Sequence, residues 1–278
     1  MTEKIIRVGH SPDPDDVFMF FGLSSGKVKI EGVKIKHQLE DIQTLNQRAM
    51  EGDLEVTAIS AHTYPFVEDK YWIMETGGSF GENYGPVIVS KKYKSLSELK
   101  GKKIATPGKL TTATLLFKIF CEDIENTDIP FDEIMNKVND ETFDAGLLIH
   151  EGQLTYKDEG FNKILDFGEL WNEKTNGLPL PLGLDVVRKD LGIELAKKIS
   201  FGLKESIHFG YTHQSESIPY SMQWGRGIDS KLGEKFVKMY VNELTISMGE
   251  IGKQSLELLF KLAKEKKLIS NFTEINLI

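Results

Sequence analysis

The sequence predicts an α/β fold, and two observations support this prediction. Short apolar runs rich in β-branched residues alternate with stretches of helical periodicity along most of the chain. Strands that alternate with helices in this way are typical of a largely parallel sheet covered by helices. The chain has 278 residues, of which 40% are hydrophobic. That length is enough for about two domains of roughly 150 residues, each with its own core.

The predicted elements follow one another in a regular order. The first strand is predicted for IIRVGH, and after a turn at 11–14 the first helix is predicted for DDVFMFFGLSSG. Two more strands are predicted for KIKHQLE and LEVTAIS, followed by the helical stretches DIQTLNQRAMEG and AHTYPFVED. Further strands are predicted for KKIATPG, before the helix TTATLLFKIFCED, and for FDAGLLIH, before the loop EGQLTY. Helix N-caps are expected at Asp41, Ser97 and Thr111.

Two stretches predict where the chain passes between domains. GPVIVSKKYKS, residues 85–95, resembles a strand that leads into a new unit. LPLPLGLDVVRKDLG, residues 178–192, is punctuated by proline and glycine and predicts the return. We therefore expect a discontinuous first lobe, residues 1–88 and 187–278, with a second lobe, residues 89–186, inserted between its two parts.

Composition and charge disfavour several classes of partner. The formal net charge is -8 and no block of Lys and Arg stands out, so nucleic acid is not expected as a partner. The lone Cys121 excludes an internal disulfide framework and is typical of a reducing compartment. The apolar stretch at the N-terminus is broken by Arg7 and is too short for a signal peptide. No run approaches the roughly 20 apolar residues of a membrane helix. We therefore expect a cytoplasmic protein. A monomer or a homodimer is expected, although these features do not choose between the two.

Four loops are candidates for the functional site because each follows a predicted strand. In open α/β sheets, ligands bind beyond the carboxyl ends of the strands. The four loops are residues 11–16, 60–62, 111–113 and 150–151. The first two belong to one predicted lobe and the last two belong to the other. A cleft between the lobes would therefore be lined by all four loops.

The stretch HSPDPDDVFMF, residues 10–20, has three interpretations. Asp13, Asp15 and Asp16 lie at or just before the start of a helix, where carboxylates cap free N–H groups and favour the dipole. This capping role is favoured over a metal or phosphoryl-transfer site, because no matching lysine and acidic pair are found. The Ser11 hydroxyl, together with neighbouring N–H groups, is a further candidate for holding a ligand.

The helix N-terminus at Thr111 and Thr112 has two interpretations. Both residues follow a Pro-Gly turn, and a threonine N-cap is the simpler explanation. Hydroxyls and free N–H groups at a helix N-terminus are also suited to hold an anionic oxygen. The stretch lacks the lysine of a GxxxxGK[ST] motif, so a nucleotide site is disfavoured and a carboxylate is the expected ligand.

His150 is the candidate catalytic residue. It ends an apolar strand that should be buried, and the chain turns at Glu151. Histidine is the usual proton acceptor near neutral pH, and the alternative is a structural histidine that bonds a loop carbonyl. An HExxH zinc motif fails because Leu154 stands at its last position, so no metal and no cofactor are expected. His10 and His62 are further candidates for the cleft wall.

Six segments, spread in order over nearly the whole chain, form a pattern that is specific in combination. They are HSPDPDDVFMFFGL, LEDIQTLNQRAMEG, TAIS, ATPGKLTTATLL, DAGLLIHEGQLTY and LPLPLGLDVVRKDL. Together they resemble the 1,4-dihydroxy-6-naphthoate synthase family, which serves the futalosine route to menaquinone. The most specific part is the combination of TTA with the strand-end histidine of IHE.

This resemblance implies a fold, a reaction and a set of site residues. The fold would have two lobes with a cleft between them, like the type II periplasmic binding proteins. The reaction would be a lyase step, without redox cofactor, that converts cyclic dehypoxanthinylfutalosine to 1,4-dihydroxy-6-naphthoate. The proton acceptor of the family falls on His150. The family's substrate contacts fall on Ala58, Ile59, Ser60, Thr112 and Ala113, and we expect Ser11 and Thr111 beside them.

The opening motif departs from the family pattern, which often reads S-P-C-P-N-D-T-F. Here Asp13 replaces Cys, Asp15 replaces Asn and Val17 replaces Thr. Extra carboxylates beside a carboxylate-bearing substrate are unexpected, unless their side chains face the helix end or solvent. Two alternative functions stay open. They are chorismate dehydratase of the same pathway and a cytoplasmic solute-binding protein for a small carboxylate.

Overall fold

The structure is a computed structural model that describes residues 3–150, 152–224, 230–270 and 274–278. Its strands are β1 Lys4–His10, β2 Val33–Leu39, β3 Val56–Ser60, β4 Tyr71–Ile73, β5 Ser79–Gly81, β6 Val87–Ser90, β7 Ile104–Thr106, β8 Asn126–Asp128, β9 Ala145–Leu148, β10 Asn162–Asp166 and β11 Leu180–Arg188. Its α-helices are α1 Pro14–Ser24, α2 Ile42–Glu51, α3 Thr112–Phe120, α4 Ile134–Asn139, α5 Gly152–Thr155, α6 Phe167–Thr175, α7 Ile193–Thr212, α8 Gln214–Ser221, α9 Ser230–Tyr240, α10 Glu243–Ile246 and α11 Gly249–Glu265.

The strands form two mixed sheets. The first sheet has the order β2-β1-β3-β11-β4, with β5 also paired to β11. Its strands β1, β2 and β3 are parallel, whereas β11 runs antiparallel to β3, β4 and β5. The second sheet has the order β10-β6-β9-β7-β8, in which β7 is parallel to β8 and β9, and β6 is antiparallel to β9 and β10.

The predicted largely parallel sheet is therefore only partly correct. The antiparallel strands β6 and β11 are the ones that lead the chain into the second sheet and back to the first. Strand pairing places β6 in the second sheet from Val87 and β11 in the first sheet from Leu180. A division of the chain by sheet membership would therefore fall near these residues, and the lobe boundaries at 88 and 187 stay a prediction.

The first turn of α1 is placed by tight packing of this helix against α7. Gly22 lies at the crossing, where a Cβ atom would come within 2.9 Å of the Ser206 Cα atom. The Ser206 hydroxyl donates a hydrogen bond to the Met19 carbonyl at 2.7 Å. Phe18 and Phe20 of α1 are buried in one cluster with Ile6 and Val8 of β1. The N-terminus of α1 is thereby held beyond the end of β1.

A second apolar cluster includes residues of both sheets. Ile59 of β3 and Leu184 of β11 share it with Ile88 of β6 and Leu147 of β9. Ala113, at the start of α3, belongs to the same cluster. The two sheets are therefore joined by a continuous core that lies beside the strand ends.

The predicted helix caps are confirmed at two of three positions. Asp41 accepts hydrogen bonds from the N–H groups of residues 43 and 44, and Thr111 accepts one from Thr114. Ser97 is not a cap, because the short 3₁₀ helix Leu96–Leu99 begins after Ser95, which forms a capping box with Glu98. None of the helices in the described ranges combines the length and the apolar character that crossing a membrane requires.

Candidate active site

A cavity of about 110 Å³ lies where the carboxyl ends of strands from both sheets meet. It is lined by every residue that the sequence nominated for catalysis or substrate contact, namely Ser11, Ala58, Ile59, Ser60, Thr111, Thr112, Ala113 and His150. The aspartates of the opening motif also line it, as do Gln153 and Tyr240. The structure thus brings the four candidate loops together, while the roles assigned to their residues stay predictions.

Asp13 is the N-cap residue of α1 by position but not by contact. Its backbone is extended, with φ -65° and ψ 150°, yet its side chain makes no capping hydrogen bond. Instead its Oδ2 atom lies 2.9 Å from His150 Nδ1, and the side chain is only 2% exposed. The predicted capping role of the Asp13 carboxylate is therefore wrong, because this carboxylate turns across the cleft to the second sheet.

Ser11 holds the Asp13 carboxylate from the first sheet. Its hydroxyl donates to Asp13 Oδ2 at 2.5 Å and accepts the Asp13 N–H at 3.0 Å. The Ser11 N–H donates to Asp16 Oδ2 at 2.7 Å. The Ser11 hydroxyl is thus engaged by the neighbouring aspartate, although its side chain still lines the cavity.

His150 has an uncommon backbone conformation that directs its side chain. Its φ is 56°, in the left-handed region, two residues beyond the end of β9. Non-glycine residues are uncommon in this region, and they often mark functional sites. The Gln153 N–H donates to the His150 carbonyl at 3.1 Å. The ring of Phe131 stands edge-on to the imidazole, with 4.8 Å between the centroids.

The loop that carries His150 is also fixed by the Gln153 side chain. When the Gln153 amide nitrogen donates to the Gly85 carbonyl at 2.6 Å, its oxygen accepts the His150 N–H at 3.1 Å. The same oxygen accepts the Tyr240 hydroxyl at 2.9 Å. Gln153 thus connects the His150 loop to α9 and to the crossing before β6. Glu151, the neighbour of His150 in the sequence pattern, lies outside the described residues.

The carboxyl groups of Asp15 and Asp16 are less acidic than free aspartic acid. Burial, followed by the nearby carboxylates of Asp185 and Asp13, raises the pKa of Asp16 to about 8. Burial, followed by Asp16 and Asp13, raises the pKa of Asp15 well above its ordinary value. Asp16 therefore keeps its proton to a higher pH than free aspartic acid does. The excess negative charge expected from the opening motif is reduced by proton uptake, because enclosed like charges disfavour ionisation.

A buried asparagine holds Ser60 at the end of β3. Asn46 is 0% exposed, donates from its Nδ2 to Ser60 Oγ at 3.0 Å, and accepts the Ser60 N–H at 2.8 Å. Ala58 and Ile59 precede Ser60 on β3 and add apolar surface to the cavity wall. Ser60 therefore faces the cavity with its backbone and hydroxyl both positioned from α2.

The start of α3 joins the two sheets. Thr111 is the N-cap, with its hydroxyl oxygen accepting the Thr114 N–H at 3.2 Å. The Thr112 hydroxyl donates to the Leu182 carbonyl of β11 at 2.6 Å and accepts the His62 N–H at 3.2 Å. The N–H groups of Thr112 and Ala113 belong to the first turn, where N–H groups have no partner within the helix.

His10 and His62 pack behind the cavity wall. His10 stacks on Phe20 with 4.4 Å between ring centroids, and its Nε2 lies 3.0 Å from His37 Nδ1. Burial lowers the pKa of His10 to about 3 and that of His62 to about 4. Neither histidine is among the described residues that line the cavity. Both are therefore neutral residues of the supporting structure.

The sequence did not reveal several residues of the site, among them Asn46, Gln153 and Tyr240. The segments LEDIQTLNQRAMEG and DAGLLIHEGQLTY contain the first two, but no local signal separates them from other polar helix residues. Tyr240 ends α9, far along the chain from the other site residues. Within the described ranges, no cluster of three or more His, Cys, Asp or Glu side chains is arranged to hold a metal ion.

Comparisons with known proteins point to one biosynthetic family. A family model described as menaquinone biosynthesis matches residues 6–265. A 1,4-dihydroxy-6-naphthoate synthase of Thermus thermophilus is 34% identical over 265 residues, which cover 95% of this chain and 96% of the relative. A protein of the same name from Streptomyces coelicolor is 32% identical over 275 residues, with coverage of 97% and 96%.

Comparisons with solved structures support the same fold. A crystal structure of a protein from Archaeoglobus fulgidus has a TM-score of 0.91 and 46% identity, and the match covers 95% of this chain and 98% of that one. The alkanesulfonate-binding protein of Xanthomonas axonopodis has a TM-score of 0.73 at 11% identity, with coverage of 98% and 96%. The predicted two-lobed α/β fold of the periplasmic-binding-protein type is therefore confirmed.

Proposed function

The chain belongs to the menaquinone biosynthesis family, and on this premise we propose that it is a lyase that converts cyclic dehypoxanthinylfutalosine to 1,4-dihydroxy-6-naphthoate. Two relatives that match nearly the whole chain carry the name of this synthase. The observation that carries the proposal is the cavity itself, in which His150 and the N-terminus of α3 face the same enclosed space.

His150 is the general base of the proposed reaction. A ring-opening, retro-aldol-like cleavage needs a base that takes the proton from a sugar hydroxyl. With Nδ1 directed to Asp13, the imidazole offers the lone pair of Nε2 to a ligand in the cavity. General-base catalysis of this kind contributes about 10²–10⁴-fold to the rate.

The carboxylate of the substrate binds at the start of α3. Thr112 and Ala113, in the first turn of α3, line the cavity, and a helix N-terminus favours an anion. When it keeps its proton, Asp16 on the opposite side does not repel this anion and can donate a hydrogen bond to the substrate. Ser60, positioned by Asn46, orients the substrate from the first sheet.

Two hydrogen bonds cross the cleft beside the site. The side chain of Gln43 on α2 accepts the Leu110 N–H at 3.2 Å, and the Thr63 hydroxyl donates to the Leu110 carbonyl at 3.2 Å. These bonds join the first sheet's helices and loops to the loop before α3. We propose that they open to admit the substrate and re-form around it, which excludes water from the reacting groups.

The proposed setting is the cytoplasm, and the proposed ligand is a small molecule that bears a carboxylate. Purified protein incubated with cyclic dehypoxanthinylfutalosine should release 1,4-dihydroxy-6-naphthoate, which mass spectrometry detects. A parallel incubation with chorismate tests for the dehydratase of the same pathway. If chorismate alone is consumed, the dehydratase replaces the lyase. If neither compound is turned over but a small carboxylate binds tightly in calorimetry, the protein is a solute-binding protein.

A further inference from the structure

We propose that Asp13 is the positioning residue of His150, which it holds in the tautomer that presents Nε2 to the cavity. This inference rests on the proposed function for its catalytic consequence, but the pairing itself is a property of the ligand-free protein. The two residues come from different sheets, since Asp13 follows β1 and His150 follows β9. Their contact at 2.9 Å, between Oδ2 and Nδ1, therefore links the two sides of the cleft.

A second aspartate at a helix N-terminus, Asp41, shows how the side chain of Asp13 would lie if it capped its helix. Asp13 and Asp41 are both N-cap residues, with φ -65° in each case and ψ of 150° and 156°. Asp41 accepts the N–H groups of Gln43 and Thr44, as a capping side chain does. Asp13 makes no such bond although its backbone would permit one. Its side chain is turned toward the imidazole instead.

The Asp13 carboxylate is held in this orientation by its neighbours. The Ser11 hydroxyl donates to the same Oδ2 atom that contacts His150 and accepts the Asp13 N–H. With only 2% of its side chain exposed, Asp13 is enclosed and does not rotate into solvent. Groups that hold a catalytic side chain need this kind of support, because small displacements of the reacting atoms reduce the rate strongly.

The charge that faces His150 comes from the start of α1. Among the described residues, Asp13, Asp15 and Asp16 from that helix interact with the imidazole, and the uncharged ring of Phe131 stands edge-on to it. Asp13 is the member of this group in direct contact with a ring nitrogen. A carboxylate that accepts the Nδ1 hydrogen selects one tautomer and stabilises the imidazolium that forms when Nε2 takes a proton.

Substitution of Asp13 by asparagine should disturb this arrangement with little change in volume. The asparagine amide can donate a hydrogen bond to Nδ1, which favours the tautomer with hydrogen on Nε2. The base would then lack its lone pair in the cavity, and kcat should fall by about 10²–10⁴-fold. The substrate makes its main contacts elsewhere, so KM should change by only a few-fold. The kcat–pH profile should also shift, which loss of packing alone would not cause.

The test combines nuclear magnetic resonance with kinetics. Wild-type protein is labelled with ¹⁵N-histidine, and the His150 ring signals are assigned by comparison with His150→Asn. In neutral His150 these signals should show that the hydrogen is on Nδ1. In Asp13→Asn the signal should move toward the opposite tautomer. Asp41→Asn is the matched control, because asparagine also caps helices, and it should leave the His150 signals, kcat and melting temperature unchanged.

Each outcome supports or overturns the proposal. If the hydrogen of neutral wild-type His150 is found on Nε2, the proposal is wrong. This measurement needs no variant, so it remains decisive even if Asp13→Asn folds poorly. An unchanged tautomer and an unchanged kcat–pH profile in folded Asp13→Asn would overturn it as well. If the tautomer responds but wild-type protein does not turn over cyclic dehypoxanthinylfutalosine, the positioning role stands and the proposed lyase function fails.

Discussion

Replacement of Asn46 by alanine should weaken both the fold and substrate recognition, since this side chain makes two hydrogen bonds to Ser60 in a fully buried place. Alanine leaves the Ser60 N–H without its acceptor, and an orphaned buried polar group costs about 1–3 kcal/mol. The lost side-chain volume adds a further cost of about 1 kcal/mol. We therefore expect the free energy of unfolding to fall by about 2–4 kcal/mol, the sum of these two costs.

Urea denaturation of Asn46→Ala measures this loss, and initial-rate kinetics should show a higher KM because Ser60 is no longer held. Gln47→Ala is the matched control, since Gln47 is the exposed neighbour on α2 and should change stability by no more than about 0.5 kcal/mol. The double variant with Ser60→Ala should lose less than the sum of the single losses, because the two residues share one interaction. A loss below about 1 kcal/mol in Asn46→Ala, or strictly additive losses, would show that these hydrogen bonds do not stabilise Ser60.

Three further perturbations have predictable results. Burial raises the pKa of Asp185 to about 8, so the stability linked to its protonation is fully present below about pH 4 and declines as the pH rises toward 8. Between pH 5 and 8 the wild type should lose this stability, whereas Asp185→Asn should not. The melting temperature of the variant should therefore rise relative to that of the wild type over this range. Thr111→Ala removes the α3 cap and should lower the free energy of unfolding by about 1 kcal/mol in urea titrations, whereas Thr111→Ser should not. Above pH 8 the wild-type Asp16 loses its proton and becomes a negative charge near the anionic substrate, so the substrate affinity measured by calorimetry should decline. The decline should be smaller in Asp16→Asn, because asparagine does not ionise.

The location of the site was predictable from the sequence. Ser11, Ser60 and His150 were chosen because each follows a predicted strand, and the carboxyl ends of parallel neighbours meet at one edge of a sheet. Strand pairing places β1 beside β3 in one sheet and β7 beside β9 in the other, and residues at the ends of both pairs line the cavity. The resemblance to the 1,4-dihydroxy-6-naphthoate synthase family, now confirmed by the family match and by two relatives of that name, pointed to the same positions.

The contacts within the site were not predictable in the same way. Capping was the natural interpretation of Asp13, since local sequence predicts local hydrogen bonds and capping is the local use of an aspartate at a helix start. The His150 imidazole that it contacts instead lies far along the chain, in the other sheet. Asn46 and Gln153 were missed for a related reason, because their partners are chosen by how α2 and the loop after β9 pack.

The protonation of the acidic residues could also not be predicted from the sequence. If Asp13, Asp15 and Asp16 were all ionised, they would place three negative charges near a carboxylate-bearing substrate and would repel it. In the folded chain, burial and mutual proximity raise the pKa values of Asp15 and Asp16. Acidic residues in an enclosed cavity therefore become hydrogen-bond donors, and only the three-dimensional enclosure reveals this.

Single-turnover kinetics of His150→Asn with cyclic dehypoxanthinylfutalosine measures the role of the His150 imidazole as the base. Asparagine tolerates the left-handed backbone at this position, where φ is 56°, so the loop should keep its conformation. The rate at saturating substrate should fall by about 10²–10⁴-fold, while the dissociation constant changes by only a few-fold. An unchanged rate in a folded variant that binds the substrate would contradict the assignment of His150 as the base.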